Sequence, residues 1–401
     1  MPRMETEQRV VTANGIRQAV RVAGPPDGTP LLLVHGNCSS SLFWEPLIRR
    51  LPPTLRVVAP DLRGFGDSAT APVDATRGLR DFADDVAALL DDPTLFPDVD
   101  GSGADRRGAD SRGADSRGAD GSDVDGSGVD GSGVDGSGAD TGGGVRPVVV
   151  GHSLGGGVAM RLLVDHPHRV GALLLAAPVS PYGFGGTRDL SGTPTTPDFA
   201  GTGAGTANRD FVARLAAGDR GTEGPASPRE VLRATYVADS ASLGVDEELL
   251  LDSVLSTAIG EDNYPGTSAE SENWPGTVPG KRGVLNALAP TWFRVADELV
   301  AVAEKPPVTW VRGDADVIVS DTSLLDLAYL GSLGVVAGWP GAQDCPPQPM
   351  VGQTRAVLER YAAAGGAYRE VVLPGCGHSP HLERPGEFVA ELLALTDGQA
   401  G

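Results

Sequence analysis

The amino-acid sequence predicts an α/β fold with a parallel sheet covered on both faces by helices. Short apolar runs rich in β-branched residues alternate with segments of helical periodicity, as in proteins whose parallel strands are joined by crossover helices. One run, residues 147–150, leads directly into Gly151-x-Ser153-x-Gly155, and a helix-compatible segment at 158–166 ends before Pro167. A strand, this pentapeptide and a helix in succession are the context in which the motif forms a nucleophile elbow.

The first predicted element is a β-hairpin, because residues 9–12 and 16–22 flank Asn14-Gly15, a strong two-residue hairpin signal. Apolar runs predict further strands at 31–35, 55–59, 147–150, 170–176, 308–311 and 368–373. Helices are predicted at 40–50 and 78–90, the second with one apolar face made of Leu79, Phe82, Val86 and Leu89.

The predicted core, residues 1–97, 147–177 and 306–401, is divided by two insertions. The first, residues 98–146, is of low complexity, with aspartate recurring every five residues from Asp100 to Asp140. It has too few apolar residues to offset the entropy of ordering, so we expect a disordered surface insertion. A calcium-binding solenoid is the alternative, but its repeat is about nine residues long.

The second insertion, residues 178–305, breaks the alternation of strands and helices. It begins as a loop rich in Gly, Pro and Thr and continues as helix-like patches near 208–217, 228–238, 246–259 and 283–303. A segment of this size between two strands predicts a mainly helical cap or lid.

Composition narrows the choice of partner and compartment. The chain has 401 residues and a formal net charge of −21, which argues against nucleic acid or an anionic membrane as partner. It has no apolar run long enough to span a bilayer and no secretory h-region, so a soluble cytoplasmic protein is expected. The cysteines, Cys38, Cys345 and Cys376, lack metal-type spacing, and no metal site is predicted. The oligomeric state is left open.

Ser153 is the predicted nucleophile. A serine at the apex of so sharp a turn has a strained backbone, and side chains two positions to either side would collide. Glycine at 151 and 155 removes that collision. The hydroxyl then projects above the sheet, where the N-terminus of the next helix favours negative charge. The alternative is a glycine-rich turn with an incidental serine.

His378 is the predicted base. A serine hydroxyl needs a base to remove its proton, and the base needs a third group to fix its tautomer. The turn Gly375-Cys376-Gly377 places His378 directly after the strand at 368–373. His381, three residues further on, is predicted to be structural.

The predicted acid is Asp316, on the loop after the strand at 308–311. Asp314 lies on the same loop and could instead cap the turn. The resulting chain order of Ser, Asp and His is the order expected for this architecture.

An oxyanion hole needs two backbone N–H groups near the developing charge. Leu154, next after the nucleophile, is expected to supply one, and Asn37 in His35-Gly36-Asn37-Cys38 the other. A simple turn after the strand is the alternative for that tetrapeptide. The glycine-rich loop at 61–68 is interpreted as scaffold, because the triad does not require it.

The sequence resembles the α/β-hydrolase superfamily over residues 9–95, 147–177 and 306–396. The resemblance depends on motifs in matching order: His35-Gly36-Asn37, Asp61-x-Arg63-Gly64-x-Gly66-x-Ser68, Gly151-His152-Ser153-Leu154-Gly155-Gly156, Gly313-x-x-Asp316, and residues 377–385, Gly-His-Ser-Pro-His-Leu-Glu-Arg-Pro. It implies a mostly parallel eight-stranded sheet with a cap, a covalent acyl-enzyme and no cofactor. Residues 320–366, longer than usual for the family, could shape the pocket rim.

The resemblance implies a serine hydrolase that cleaves a small, fairly apolar ester or related acyl substrate. Capped esterases, C–C bond hydrolases and cofactor-free perhydrolases share the triad, so the last two remain alternatives. The segment around Asn37 is also similar to haloalkane dehalogenases, but those have aspartate at the elbow, so Ser153 disfavours dehalogenation. A non-catalytic binding protein of this fold usually lacks a triad residue, and none is missing.

Overall fold

The computed structural model describes residues 4–97 and 146–398. The strands are β1 Thr6–Ala13, β2 Ile16–Ala23, β3 Thr29–Val34, β4 Leu55–Pro60, β5 Val148–His152, β6 Ala172–Ala176, β7 Ile259–Gly260, β8 Tyr264–Pro265, β9 Ser268–Glu270, β10 Thr277–Pro279, β11 Val308–Gly313 and β12 Tyr368–Leu373. Eight of them form one sheet in the order β1-β2-β4-β3-β5-β6-β11-β12. Only β2 runs against its neighbours in this sheet, which confirms the predicted mostly parallel, eight-stranded architecture.

The helices are α1 Glu45–Ile48, α2 Arg80–Leu89, α3 Leu154–Asp165, α4 Arg209–Ala216, α5 Pro228–Val231, α6 Glu247–Leu255, α7 Val284–Ala287, α8 Ala296–Ala301, α9 Leu327–Ser332, α10 Met350–Ala363, α11 Pro380–Glu383 and α12 Pro385–Asp397. A π-helical turn, Leu232–Tyr236, continues α5. The helix expected at 40–50 is split into a 3₁₀ turn, Ser41–Trp44, and α1. The helix expected at 283–303 is split into α7 and α8, separated by Pro290, which cannot supply a helical N–H.

The hairpin between β1 and β2 closes where the sequence predicts. Asn14 and Gly15 have φ angles of 49° and 73°, the two positive values that a type I′ turn needs. The register pairs Ala13 with Ile16 directly beside the turn.

Helices cover both faces of the sheet. Alternate residues of each strand point to opposite faces, so Leu32 and Val34 join one apolar cluster while Leu31 and Leu33 join another. The first cluster is completed by α2, α3, α8 and α10, and the second by α1 and α12. The carboxyl ends of β3, β5, β6, β11 and β12 therefore meet at one edge, where ligands bind in such sheets.

A third apolar cluster lies over that edge and draws mostly on α4, the π-helical turn and α6, including Phe211, Leu232 and Leu251. It also takes in Cys38 and Phe43 from the loop after β3. Residues of α7 and α8 pack instead with the first cluster, beside the sheet. We refer to residues 209–264 as the upper helices.

Apart from Arg146, the insertion predicted at 98–146 lies outside the described residues. Within the two described ranges, no helix combines the length and apolar character required to cross a bilayer.

Candidate active site

Ser153 occupies the sharp turn between β5 and α3. Its φ of 55° and ψ of −118° are rare for a residue with a side chain and mark a strained turn. A Cβ on Gly151 would lie 2.3 Å from the carbonyl oxygen of Gly155, and one on Gly155 would lie 2.3 Å from that of Val34. Only glycine therefore fits at these two positions, as the motif predicts. The turn places Ser153 on the wall of a cavity.

His378 and Asp316 form a buried pair beside the same cavity. The distance from Nδ1 of His378 to Oδ2 of Asp316 is 2.8 Å. The N–H groups of Ile318 and Val319 donate to Oδ1 of Asp316 at 2.7 and 3.0 Å, which holds the carboxylate in place. Since a carboxylate accepts, it favours the tautomer with the proton on Nδ1, and Nε2 of His378 is left able to take a proton.

The neighbouring residues of the same types have different surroundings. Asp314 is exposed, and its carboxylate accepts the N–H of Gly375 at 2.7 Å, which joins two turns. His381 is buried with its ring centroid 4.5 Å from that of Trp44. Burial, and then the proximity of His378, lowers the pKa of His381 to about 3. The structure thus brings Asp316, and not Asp314, to the candidate base.

His152, next to the nucleophile, holds the backbone of the base. Nε2 of His152 lies 2.8 Å from the carbonyl oxygen of His378. Burial lowers the pKa of His152 well below its ordinary value, so the ring is neutral and its Nε2–H donates to that carbonyl. The sequence pattern indicates only a strand end at His152, because the direction of its ring depends on the distant loop after β12.

The loop after β3, residues 35–38, lies against the nucleophile. A Cβ on Gly36 would lie 3.0 Å from the Cβ of Ser153. Nε2 of His35 accepts the N–H of Leu62 at 2.9 Å, so its Nδ1–H donates to the carbonyl oxygen of Gly36 at 2.8 Å. Burial lowers the pKa of His35 to about 4, which keeps this tautomer neutral at pH 7.

The two residues expected to form an oxyanion hole, Asn37 and Leu154, both line the cavity with Ser153. Leu154 is the first residue of α3, so its N–H has no acceptor within the helix. Cys38, which follows Asn37, has a positive φ of 45°. This left-handed residue turns the chain away immediately after Asn37.

The cavity has a volume of about 380 Å³ and a largely apolar wall. Its polar side includes Asn37, Ser153 and His378, and much of the rest is apolar, including Phe211, Val231, Leu285, Leu288, Ile318, Leu324, Leu325 and Leu330. Leu324 and Leu325 lie at the rim with exposures of 41% and 49%. Five residues between 324 and 330 of the segment at 320–366 thus lie on the wall of the cavity.

Comparison with known proteins identifies the family. A model of the alpha/beta hydrolase family matches residues 31–392, which is most of the chain. The chain belongs to this family. The resemblance inferred from the motifs is thereby confirmed, and the family and a hydrolase among its curated relatives agree with the predicted enzyme class.

The curated relatives match this alpha/beta hydrolase over limited stretches. A putative carbamate hydrolase, RutD, of Variovorax paradoxus is 30% identical over 155 residues, 38% of this chain and 40% of that protein. A probable oxidoreductase, EphD, of Mycobacterium tuberculosis is 34% identical over 91 residues, 22% of this chain and 15% of that protein. The chain thus spans less than half the length of these relatives.

The similarity to solved structures extends over nearly the whole chain. A serine hydrolase from the polyaromatic-hydrocarbon-degrading bacterium Cycloclasticus zankles superposes with a TM-score of 0.53 and 15% identity, covering 98% of this chain and 99% of that one. At this identity the likeness concerns the fold alone.

The glycine-rich loop at 61–68 is a scaffold in this alpha/beta hydrolase, as its sequence suggests. Nε and Nη2 of Arg63 donate to the two carboxylate oxygens of Asp85 at 2.6 and 2.7 Å, which anchors the loop to α2. The carboxylate of Asp61 accepts the N–H groups of Ser41 and Asp67 at 2.7 and 2.9 Å. These bonds connect the loop to the start of the 3₁₀ turn and to its own backbone.

The three cysteines are free and buried. Cys38 lines the cavity, and burial raises the pKa of its thiol to about 12. A thiol that stays protonated is a poor nucleophile, so Cys38 acts as a small apolar residue here.

Proposed function

We propose that this chain is a serine hydrolase that cleaves a small, fairly apolar ester or related acyl substrate. Ser153 Oγ attacks the acyl carbon while Nε2 of His378 takes its proton, and Asp316 stabilises the resulting imidazolium. The N–H groups of Asn37 and Leu154 hold the oxyanion.

Collapse of the tetrahedral intermediate then breaks the bond to the leaving group, which receives the proton from His378. The product of this step is an acyl ester on Ser153. Water attacks that ester as His378 removes one of its protons, and the acid leaves as Ser153 regains its hydrogen.

The observation that carries this proposal is the meeting of four strand-end loops, those after β3, β5, β11 and β12, at one cavity. A strained serine, a buried His–Asp pair and a loop with Asn37 all border the same apolar space. A largely apolar wall strengthens the electrostatic interactions on which acyl transfer depends.

The substrate class is inferred from the cavity wall. Largely apolar lining favours acyl or alcohol groups without charge, since burial of an unpaired charge is costly. A volume of about 380 Å³ suits a small molecule and not a folded protein or a long peptide.

A fluorophosphonate probe tests the nucleophile directly. We expect labelling of the wild type, no labelling of Ser153→Ala and strongly reduced labelling of His378→Ala. Ser242→Ala, which removes a hydroxyl outside the cavity lining, is the matched control. Labelling that persists in Ser153→Ala contradicts the assignment.

A panel of p-nitrophenyl esters from acetate upwards tests the substrate class. Turnover that disappears in Ser153→Ala supports an esterase. If the probe labels Ser153 but no ester is hydrolysed, the serine nucleophile stands and the ester is rejected as the substrate. That result would favour the alternative, a C–C bond hydrolase.

A further inference from the structure

Residues 236–238 of the upper helices lie between the two loops that the proposed reaction uses. The Tyr236 hydroxyl is 3.1 Å from the carbonyl oxygens of both Asn37 and Cys38, so its single proton can be shared between them. Tyr236 is buried, and its ring centroid is 6.4 Å from that of His378. This tyrosine therefore holds the oxyanion loop from the side opposite the sheet.

The other end of the segment is tied to the loop of the base. The N–H of Ala238 donates to Oε2 of Glu383 at 2.8 Å, and the N–H of Gly377 donates to Oε1 at 2.7 Å. A Cβ on Gly377 would lie 2.5 Å from the nitrogen of Ala238, so the two backbones are in direct contact. Glu383 thus bridges the upper helices and the residue that precedes His378.

The link between these two contacts is short and stiff. Only Val237 separates Tyr236 from Ala238, and it is extended, with φ of −135° and ψ of 150°. Its side chain is 2% exposed and packs in the third apolar cluster. A shift of this segment therefore moves both loops together.

Glu383 bonds mainly to backbone N–H groups, unlike an ordinary surface carboxylate, which faces water or a cation. In the part of the chain that the structure describes, none of the ion pairs includes Glu383, although Arg384 is adjacent. Its partners are the two backbone N–H groups and, at 3.6 Å, the thiol of Cys376. A buried carboxylate that gives both oxygens to backbone N–H groups fixes loop geometry instead of balancing a charge.

We propose that Tyr236 and Glu383 are positioning residues, joined through residues 236–238 into one hydrogen-bonded bridge between the oxyanion loop and the loop of the base. The inference rests on the proposed function, because it assigns the bridge to the alignment of Asn37 with His378. Binding of the correct substrate below the upper helices then fixes the positions of Asn37 and His378 together. Displacement of the bridge misaligns both residues.

Kinetics of two conservative variants test the bridge. Tyr236→Phe removes the shared proton, and Glu383→Gln places an NH₂ group opposite one backbone N–H. We expect kcat for a good ester to fall about tenfold in each, with a KM change of less than about twofold, because positioning affects the transition state most. The double variant should lose less than the product of the two single losses.

Matched controls separate this effect from general destabilisation. Tyr361→Phe removes a buried hydroxyl that donates to the Pro306 carbonyl at 2.7 Å, away from the cavity. Asp321→Asn alters an exposed carboxylate that accepts the N–H groups of Val351 and Gly352 at 2.8 and 3.3 Å. Both controls should keep the wild-type kcat. If Tyr236→Phe and Glu383→Gln change kcat no more than these controls do, the proposal is overturned.

Hydrogen–deuterium exchange gives a readout that does not depend on hydrolysis. In Glu383→Gln, amides at 37–40 should exchange faster although the substitution lies at the other loop, and in Tyr236→Phe the amides at 375–378 should do so. Faster exchange confined to the mutated end would overturn the bridge, whatever the wild type hydrolyses. Absence of ester turnover by the wild type would instead reject the proposed function, and exchange would still decide on the bridge.

Discussion

The two halves of the cavity are built in different ways. The sheet side, with Ser153, His378 and Asp316, is held by short hydrogen bonds among buried groups and by backbone contacts that only glycine permits. The opposite side, with Phe211, Leu325 and other apolar residues, relies on packing and reaches the solvent at its rim. Under the proposed function, we therefore expect the sheet side to determine the chemistry and the opposite side to select the size of the substrate.

This division follows from the physics of each kind of contact. A hydrogen bond between buried groups fixes distance and direction, which proton transfer requires. Apolar contacts are non-directional and tolerate a change of shape, which suits a wall that accommodates acyl groups of different lengths. Substitutions among the hydrogen-bonded groups, Tyr236 included, should therefore lower kcat, whereas substitutions in the apolar wall of the opposite side should raise KM for particular substrates.

The largest effect is expected at Asp316. Asp316→Asn keeps the size of the side chain but no longer favours the tautomer with the proton on Nδ1 of His378, so kcat should fall about 10²- to 10⁴-fold. Steady-state ester hydrolysis measures this loss.

Asp314→Asn is the matched control, because Asp314 lies on the same loop and bonds only to the Gly375 N–H among the described contacts of its side chain. It should change kcat less than about threefold, in line with an exposed loop contact. If Asp314→Asn and Asp316→Asn lose similar activity, the loop as a whole affects the reaction and the hydrogen bond between His378 and Asp316 has no special role. The proposed difference between the two sides of the cavity is then rejected.

The sheet side is also the half that the sequence predicts well. Apolar runs placed β3, β4, β5 and β6 within a few residues, because buried parallel strands are continuously apolar. The elbow could be located because its glycines are required by contacts within a few residues and with the adjacent strand. His378 and Asp316 could be nominated because parallel strands bring their carboxyl ends to one edge.

The opposite side could not be derived in this way. Its wall combines residues as distant along the chain as Phe211 and Leu330, and no local spacing links them. Tyr236 and Glu383 contact backbone atoms of other loops, and such contacts leave no pattern in the sequence. The helix α10 was not predicted either, because its apolar residues match its amphipathic period only weakly.

A substitution at the rim should sharpen the division between the halves. Leu325 lines the cavity and is 49% exposed, so Leu325→Ser removes apolar contact only for acyl chains that reach the rim. KM for octanoyl esters should rise about tenfold, in keeping with the loss of a few buried methylene contacts, while acetyl esters stay unchanged.

The control for the rim is Leu333→Ser, which alters a leucine of 54% exposure outside the cavity lining. It should leave KM unchanged for both esters. A uniform fall of kcat for all chain lengths in Leu325→Ser would mean that the rim influences the chemistry, against the proposed separation.

The last prediction concerns stability and the buried histidines of the sheet side. Burial holds the pKa of His381 at about 3, below the value of about 6.5 expected in the unfolded chain. The folded state therefore binds fewer protons than the unfolded state between these values. The stability that the neutral ring contributes is complete above about pH 6.5 and is lost as the pH falls towards 3.

His381→Leu should make the free energy of unfolding less sensitive to acid. His381 lies among Trp44, His152 and Phe388, and among the described residues neither of its ring nitrogens has a hydrogen-bond partner, so an apolar replacement suits the site. Urea titrations should measure the free energy of unfolding at pH 7 and at pH 5. The loss of this free energy between the two pH values should be smaller in His381→Leu than in the wild type, by roughly 1.4 kcal/mol for each pH unit below 6.5. If the difference between the unfolding free energies at pH 7 and pH 5 is the same in His381→Leu and in the wild type, the His381 ring takes up its proton without unfolding. The sheet side is then less tightly closed around its polar groups than the hydrogen bond between His378 and Asp316 implies.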